Sequence, residues 1–322
     1  MKAFISHQSA LEYWRTHRVL PYRSAQQRHR ISLPDKAPTK EIIGLTGLKL
    51  PVHIMLRELS ARRVSKLMVK HVFTGQTPNG SFISIRDALY VSSPEFCFLQ
   101  MANVLPLATL IELGFELCGS YSMPVVRNSN LHEKGFYKRE PLTNAKKLEA
   151  FAVRMAGVKG HQKAMRALSY VIDGSASPME TKLTIILILP YLLGGFGFEK
   201  PVLNKRFVPS KINDRSSYKT SYSCDLYWPD HSLALEYDSA FYHSGQTQIY
   251  EDSKKRTALK TMGVEVMTVT KQQIFDKKDF EQFARALAKS LGKRLAYKNP
   301  NFTKAYIKLR EQLELSFDEM LE

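Results

Sequence analysis

Tyr222-Ser-Cys-Asp-Leu-Tyr-Trp228 and Leu233-Ala-Leu-Glu-Tyr-Asp238 form the stretch whose reading decides the fold. Both segments are β-prone. A two-residue period puts Leu233, Leu235 and Tyr237 on one face of the second segment and Ala234, Glu236 and Asp238 on the other. Carboxylates about 7 Å apart on one strand face repel each other. A hard divalent cation held by carboxylates, carbonyls and waters reverses the sign of that interaction. Asp225 alone would pass as a turn or edge residue. Taken with Glu236 and Asp238, it gives the composition of a Mg²⁺ or Mn²⁺ site.

Upstream, Ser177-Pro-Met-Glu180 opens an apolar helix. Ser177 suits the N-cap, Pro178 the first helical position, and Glu180 the third, which completes a capping box. Glu180 therefore has two roles open to it, capping its own helix or facing the acid cluster. Downstream, Tyr242-His243 follows within five residues of Asp238. A histidine there is either incidental to its loop or able to polarise water and contact a phosphate. Ile249 to Gly263 reads as a helix ending at glycine, and Val264 to Thr270 as an apolar strand. Within that helix, Arg256 lies four residues after Asp252, a spacing that permits an ion pair as readily as phosphate contact. Asp279 to Leu295 and Asn301 to Leu321 read as amphipathic helices that supply packing or partner surface.

The chain has 322 residues, 44% hydrophobic and 11% aromatic, enough for two domains that each bury a core. Its longest apolar run, Leu183 to Phe198, is broken by Thr184, Pro190 and three glycines. That falls short of the roughly 20 clean apolar residues a membrane span needs, so no membrane partner is expected. The opening Met-Lys-Ala-Phe-Ile-Ser-His carries no apolar signal core. Cys97, Cys118 and Cys224 are isolated, which argues against a zinc knuckle or disulfide frame and fits a reducing cytoplasm.

The net charge is +17, and its distribution is uneven. Residues 1 to 170 hold 25 Lys and Arg against 11 Asp and Glu, or +14, whereas residues 171 to 322 hold 22 against 19, or +3. An imbalance of this size points to a polyanion partner, because neutralising phosphates releases counterions. The turn-rich Asp173-Gly-Ser-Ala-Ser177 divides the chain into a basic DNA-binding region, 1 to 170, and a second domain, 171 to 322. In the basic half, Gln8 to His17 reads as a short helix and Leu20 to Ala37 as a basic loop. Helix starts are expected at Thr39 to Thr46 and, behind Pro51, at Val52 to Arg62. Two β-rich stretches, Leu67 to Phe73 and Ser81 to Val91, flank Gly75-Gln-Thr-Pro-Asn-Gly80, whose Asn-Gly is a turn signal. Helices followed by a hairpin give a winged-helix-like α+β outline. Arg57, Arg62, Arg63, Lys66, Lys70 and His71 would then contact phosphates near the turn; the alternative is a small α+β scaffold whose basic residues face water.

The order Glu180, Asp225, Glu236-x-Asp238, His243, Asp252-x-x-x-Arg256, Leu259 and Gly263 resembles the restriction-endonuclease-like PD-(D/E)XK superfamily, especially the branch related to very-short-patch repair endonucleases. Leu89-Tyr-Val-Ser-Ser-Pro-Glu95 and the helical Phe96 to Gly114 resemble AbiEi-like antitoxin proteins, a likeness covering about residues 1 to 125. The first resemblance implies an α/β fold, a mixed sheet flanked by helices. It also implies one or two Mg²⁺ (or Mn²⁺) ions held by Asp225, Glu236 and either Glu180 or Asp238, and metal-assisted phosphodiester hydrolysis. The lysine usual after the second acid is replaced by Asp238, leaving His243, Lys254 and Lys255 as stand-ins. The resemblances imply an endonuclease of a bacterial defence, toxin-antitoxin or repair system, with DNA and a toxin or defence protein as partners. They equally allow a non-catalytic DNA-binding regulator of antitoxin type carrying an inactive nuclease fold; charge alone also leaves RNA open as substrate.

If residues 1 to 170 carry the affinity, a chain truncated to 171 to 322 binds duplex DNA far more weakly than the full chain and with a flatter salt dependence. Equal affinity and slope in fluorescence-anisotropy titrations would contradict this.

Overall fold

The structure, a computed structural model, describes residues 2–17, 32–58, 65–86, 88–125, 135–208, 221–238, 246–295 and 300–315. Contacts divide the chain into two compact units, Met1–Val171 and Ile172–Glu322. Both are mixed α/β. Among the described residues, no helix is long and apolar enough to cross a membrane.

In the first unit the elements run β1 (Ala3–Ile5), α1 (His7–Thr16), α2 (Lys40–Gly44), β2 (Val52–Leu56), β3 (Met68–Val72), β4 (Phe82–Arg86), β5 (Leu89–Ser92), α3 (Pro94–Met101), α4 (Leu107–Cys118), β6 (Tyr121–Ser122), β7 (Tyr137–Lys138), α5 (Ala145–Arg154) and α6 (His161–Leu168). A mixed sheet of order β3-β2-β1-β5-β4 is covered by helices. Helix α1 is pinned to it by Trp14, fully buried, whose indole N–H donates to the Ser92 carbonyl at 2.9 Å.

Two expectations fail here. The segment behind Pro51, expected as a helix, is strand β2. Val-His-Ile-Met-Leu is a short, nearly continuous apolar run buried on both faces, the pattern of an interior strand. The expected hairpin across Asn79-Gly80 also does not form. The chain does turn at Gly80 (φ +85°), but β3 and β4 lie at opposite edges of the sheet. The stretch Ser81 to Val91 instead divides into β4 and β5, which pair antiparallel with each other. The unit is therefore built on a five-stranded mixed sheet in place of the winged-helix outline.

The residues expected to contact phosphates scatter accordingly. Arg57 and Lys66 are exposed and Lys70 is half-buried on the edge strand β3, while Arg62 and Arg63 lie outside the described residues. His71 packs in a histidine cluster with His7 and His53. Its ring stacks on His7 at 3.6 Å and its Nε2 lies 3.0 Å from His53 Nδ1. Burial, and secondarily the charge of His53, pushes its pKa down to about 4, so it is neutral at pH 7.

The second unit runs α7 (Pro178–Ile188), β8 (Val202–Phe207), β9 (Tyr222–Trp228), β10 (Leu233–Asp238), α8 (Gln246–Thr261), β11 (Glu265–Thr270), α9 (Lys271–Phe275), α10 (Lys277–Ser290) and α11 (Pro300–Gln312). Its sheet has the order β11-β10-β9-β8. Strands β8, β9 and β10 form an antiparallel meander; β11 returns parallel to β10, with α8 as the crossover. Helix α7 is buried from Glu180 to Ile188. Gly263 (φ +77°) closes α8 in the left-handed conformation that glycine tolerates, so that the next residue can enter β11. Helices α10 and α11 pack through Phe196, Phe280, Phe302 and Tyr306, with ring centroids of Phe196 and its three partners 5.5 to 5.8 Å apart. Arg310 fastens the end of α11 by donating to the carbonyls of Ile274, Phe275 and Leu315. These contacts give the C-terminal helices a packing role.

Candidate functional site

The acids named from the sequence gather where α7, β9 and β10 meet. Strands β9 and β10 pair with Leu235 opposite Leu226, and continuing that register by one step brings Glu236 level with Asp225. Asp225 Oδ2 accepts from the Tyr237 backbone N–H at 2.7 Å, which fixes the carboxylate against the neighbouring strand. Glu236 Oε2 accepts from Lys255 Nζ at 2.7 Å, whereas Glu236 Oε1 is buried with no hydrogen-bond partner. Lys255 reaches the strand because Leu259, four residues later on the same face of α8, is buried against Cys224, Ala234 and Val264. Core packing thus aims the ammonium.

Half of the expected capping box forms at Glu180. Ser177 caps α7 by accepting from the Glu180 N–H at 3.2 Å. The Glu180 carboxylate, however, reaches past the cap residue: Oε2 accepts from Ala176 N–H at 2.9 Å and from Asn204 Nδ2 at 2.8 Å. Asn204 was not expected. It sits in β8 with φ +47°, and the flanking pairs, Leu203 with Leu226 and Lys205 with Cys224, put it opposite Asp225. Its only advance signal is an asparagine, one of the few residues that tolerate left-handed backbone, inside the otherwise strand-like Val202-Leu-Asn-Lys205.

Folding makes all three carboxyls harder to ionise. Burial raises Glu180, and the Asp225 charge adds to it, opposed by the donors on Ala176, Asn204 and Ser177. Burial raises Asp225, opposed by the Tyr237 N–H and Lys255. Burial first and Asp225 second push Glu236 up to about 7, against the pull of Lys255. The Cys224 thiol beneath them is pushed up to about 12, chiefly by burial, so it is no nucleophile at neutral pH.

The remaining candidates separate. The charges acting on Glu236 are those of Asp225, Lys255 and Asp252; Asp238, at the end of β10 opposite Thr270, acts on the phenol of Tyr237. Of the stand-ins for the displaced lysine, Lys255 contacts Glu236, Lys254 lies 4.6 Å over the Tyr250 ring, and His243 lies outside the described residues. Arg256 is exposed on α8.

Among the described residues, no three His, Cys, Asp or Glu side chains are ready-placed to hold a metal ion. Glu180, Asp225 and Glu236 each commit an oxygen to a protein donor. The chemistry of the donors at Asp225 and Glu236 nonetheless suits a hard cation, and one buried oxygen there, Glu236 Oε1, has its hydrogen-bonding capacity unused. No protein-family model, curated protein or solved structure matches the chain.

The raised carboxyls carry a pH signature. The folded protein binds these protons more tightly than the unfolded chain, so stability falls as pH rises from the ordinary glutamate value of 4.5 through about 7. Asp225→Asn removes the charge that acts on both Glu180 and Glu236, and its amide oxygen can still accept from Tyr237. In EDTA at about pH 8 this variant should melt a few degrees above wild type, and at about pH 5 the gain should vanish. A gain of equal size at both pH values would contradict the electrostatic origin.

Proposed function

We propose that residues 172–322 form a metal-dependent phosphodiester hydrolase of the restriction-endonuclease-like PD-(D/E)XK class, and that the chain acts on DNA. The observation that carries this reading is the convergence of Asp225, Glu236 and Lys255 from β9, β10 and α8. The order α7-β8-β9-β10-α8-β11, a meander followed by a helical crossover to a parallel strand, supports the same class. The positive charge of the first 170 residues supports a polyanionic substrate.

In this reading Asp225 and Glu236 hold a Mg²⁺ or Mn²⁺ ion, with Glu180 completing the acidic side of the site. Such an ion, when bound, supplies a Lewis acid for the scissile phosphate and lowers the pKa of a coordinated water. The protein's own groups do the rest. Lys255, carried on a helix where this class commonly has a strand lysine, neutralises charge on the phosphate and orients the attacking water. The Tyr237 N–H keeps Asp225 in place. Glu236, pushed up to about 7 by burial and by Asp225, would give up its proton to serve as a ligand.

A second reading, a DNA-binding regulator whose nuclease fold is inactive, is favoured by one observation: the acids are held by protein donors and do not form a ready-made ligand set. Digestion of plasmid and oligonucleotide DNA in Mg²⁺ and Mn²⁺, with EDTA controls, separates the two. The hydrolase reading expects metal-dependent cleavage by wild type and loss of about a thousandfold or more in Asp225→Asn. Lys255→Met is expected to lose about a hundredfold to a thousandfold with the fold intact. DNA binding without cleavage under either metal would favour the regulator. Cleavage by Asp225→Asn at the wild-type rate would remove Asp225 from the site.

A further inference from the structure

The side chain that joins the acidic site to the neighbouring strand is one that neither the carboxylate pattern nor the charge balance singles out. Asn204 leaves extended geometry for φ +47° in the middle of β8. Left-handed backbone costs a non-glycine residue about 1 kcal/mol or more, and such residues persist where surrounding contacts hold them. The contacts here are specific. The side-chain amide has two hydrogens and two acceptors: the Gly174 carbonyl at 2.9 Å and Glu180 Oε2 at 2.8 Å. Asn204 also stands opposite Asp225 in the register of β8 and β9. One residue therefore touches the turn that leads into α7, holds the acid at the start of α7, and lies across from the acid of β9.

Neither an acid nor an apolar side chain suits that position. An aspartate would add a negative charge beside Glu180 and Asp225 and donate nothing. An alanine would leave the Gly174 carbonyl and Glu180 without their donor and would keep the backbone cost. Without the amide, the Ala176 N–H and Ser177 would be left to hold Glu180, and the carboxylate, repelled by Asp225, would be held less tightly beside it.

We infer that Asn204 is a positioning residue, whose side-chain amide holds the Glu180 carboxylate beside Asp225 so that Glu180 contributes to cation binding. It rests on the hydrolase reading for the cation and on geometry alone for the hold on Glu180, and the test keeps the two apart. Asn204→Gly accommodates the left-handed backbone without a side chain, so it removes the amide while sparing the fold. Asn204→Ala removes the amide and keeps the strain.

The full-length chain is used throughout. Amide hydrogen exchange reports on the Ala176 N–H, whose acceptor is Glu180 Oε2. In Asn204→Gly its protection should fall about tenfold, while the amides in the middle of α7 stay as in wild type. Mn²⁺ titration by calorimetry should show affinity about ten- to a hundredfold weaker in Asn204→Gly, the range seen when a partner of a ligating carboxylate is removed. Melting in EDTA should stay within a few degrees of wild type, and any DNA cleavage lost at low Mn²⁺ should return at high Mn²⁺ with kcat preserved. Unchanged Ala176 protection in Asn204→Gly overturns the inference. So does unchanged Mn²⁺ affinity in a variant whose protection has fallen, because Glu180 would then not serve the cation. If wild type binds no Mn²⁺ while Ala176 protection falls in the variant, the hydrolase reading fails and Asn204 as the residue that holds Glu180 stands.

Discussion

Carboxylates withdrawn from water around the charge of Asp225 are the constraint around which the second unit is arranged. Glu180 and Glu236 each feel the charge of Asp225, and all three are pushed toward their neutral forms. Burying like charges is unfavourable unless donors or a cation compensate. The unit supplies a donor for each acid: Ala176 and Asn204 for Glu180, the Tyr237 N–H for Asp225, and Lys255 for Glu236. The compensation is incomplete, since Glu236 Oε1 is buried with no partner. A protein that needed these positions only for packing could use apolar residues of similar size at lower cost.

Much of the surrounding architecture serves that arrangement. The antiparallel meander sets Asp225 and Glu236 level on adjacent strands, and the parallel return of β11 requires a crossover helix. Leu259 seats that helix on the sheet, and Lys255, one turn earlier, is thereby carried to Glu236. The helix supplies the charge that β10 lacks at Asp238. The Cys224 thiol, next in sequence to Asp225, is kept neutral chiefly by burial.

What could be read from the sequence followed from short-range periodicity and local caps. The two-residue alternation in Leu233 to Asp238, the Ser177 cap and the glycine closing α8 are local signals, and each marks an element seen in the structure. Pairing was less legible because it depends on distant partners. Val52 to Leu56 carries apolar residues that suit a helix or an interior strand, and burial between β1 and β3 decides for the strand. The Asn79-Gly80 turn is present, but β2 pairs with β3 and β5 with β4 in the places a hairpin would need. Asn204 was hidden for the same reason. Its importance comes from a left-handed φ and from contacts to Gly174 and Glu180, 30 and 24 residues away in sequence. Of the three possible stand-ins, Lys255 is the one whose contact with Glu236 is seen, and the packing of α8 that carries it there is not legible in the sequence.

The central claim is that the Asp225 and Glu236 carboxylates share a divalent cation. The most direct measurement is a crystal structure of the full chain soaked in Mn²⁺, with anomalous maps collected at the manganese edge. The account predicts an anomalous peak about 2.2 Å from an oxygen of each carboxylate, with Glu236 Oε1 among the ligands. A map with no peak at millimolar Mn²⁺, and with the Lys255–Glu236 ion pair undisturbed, would contradict it.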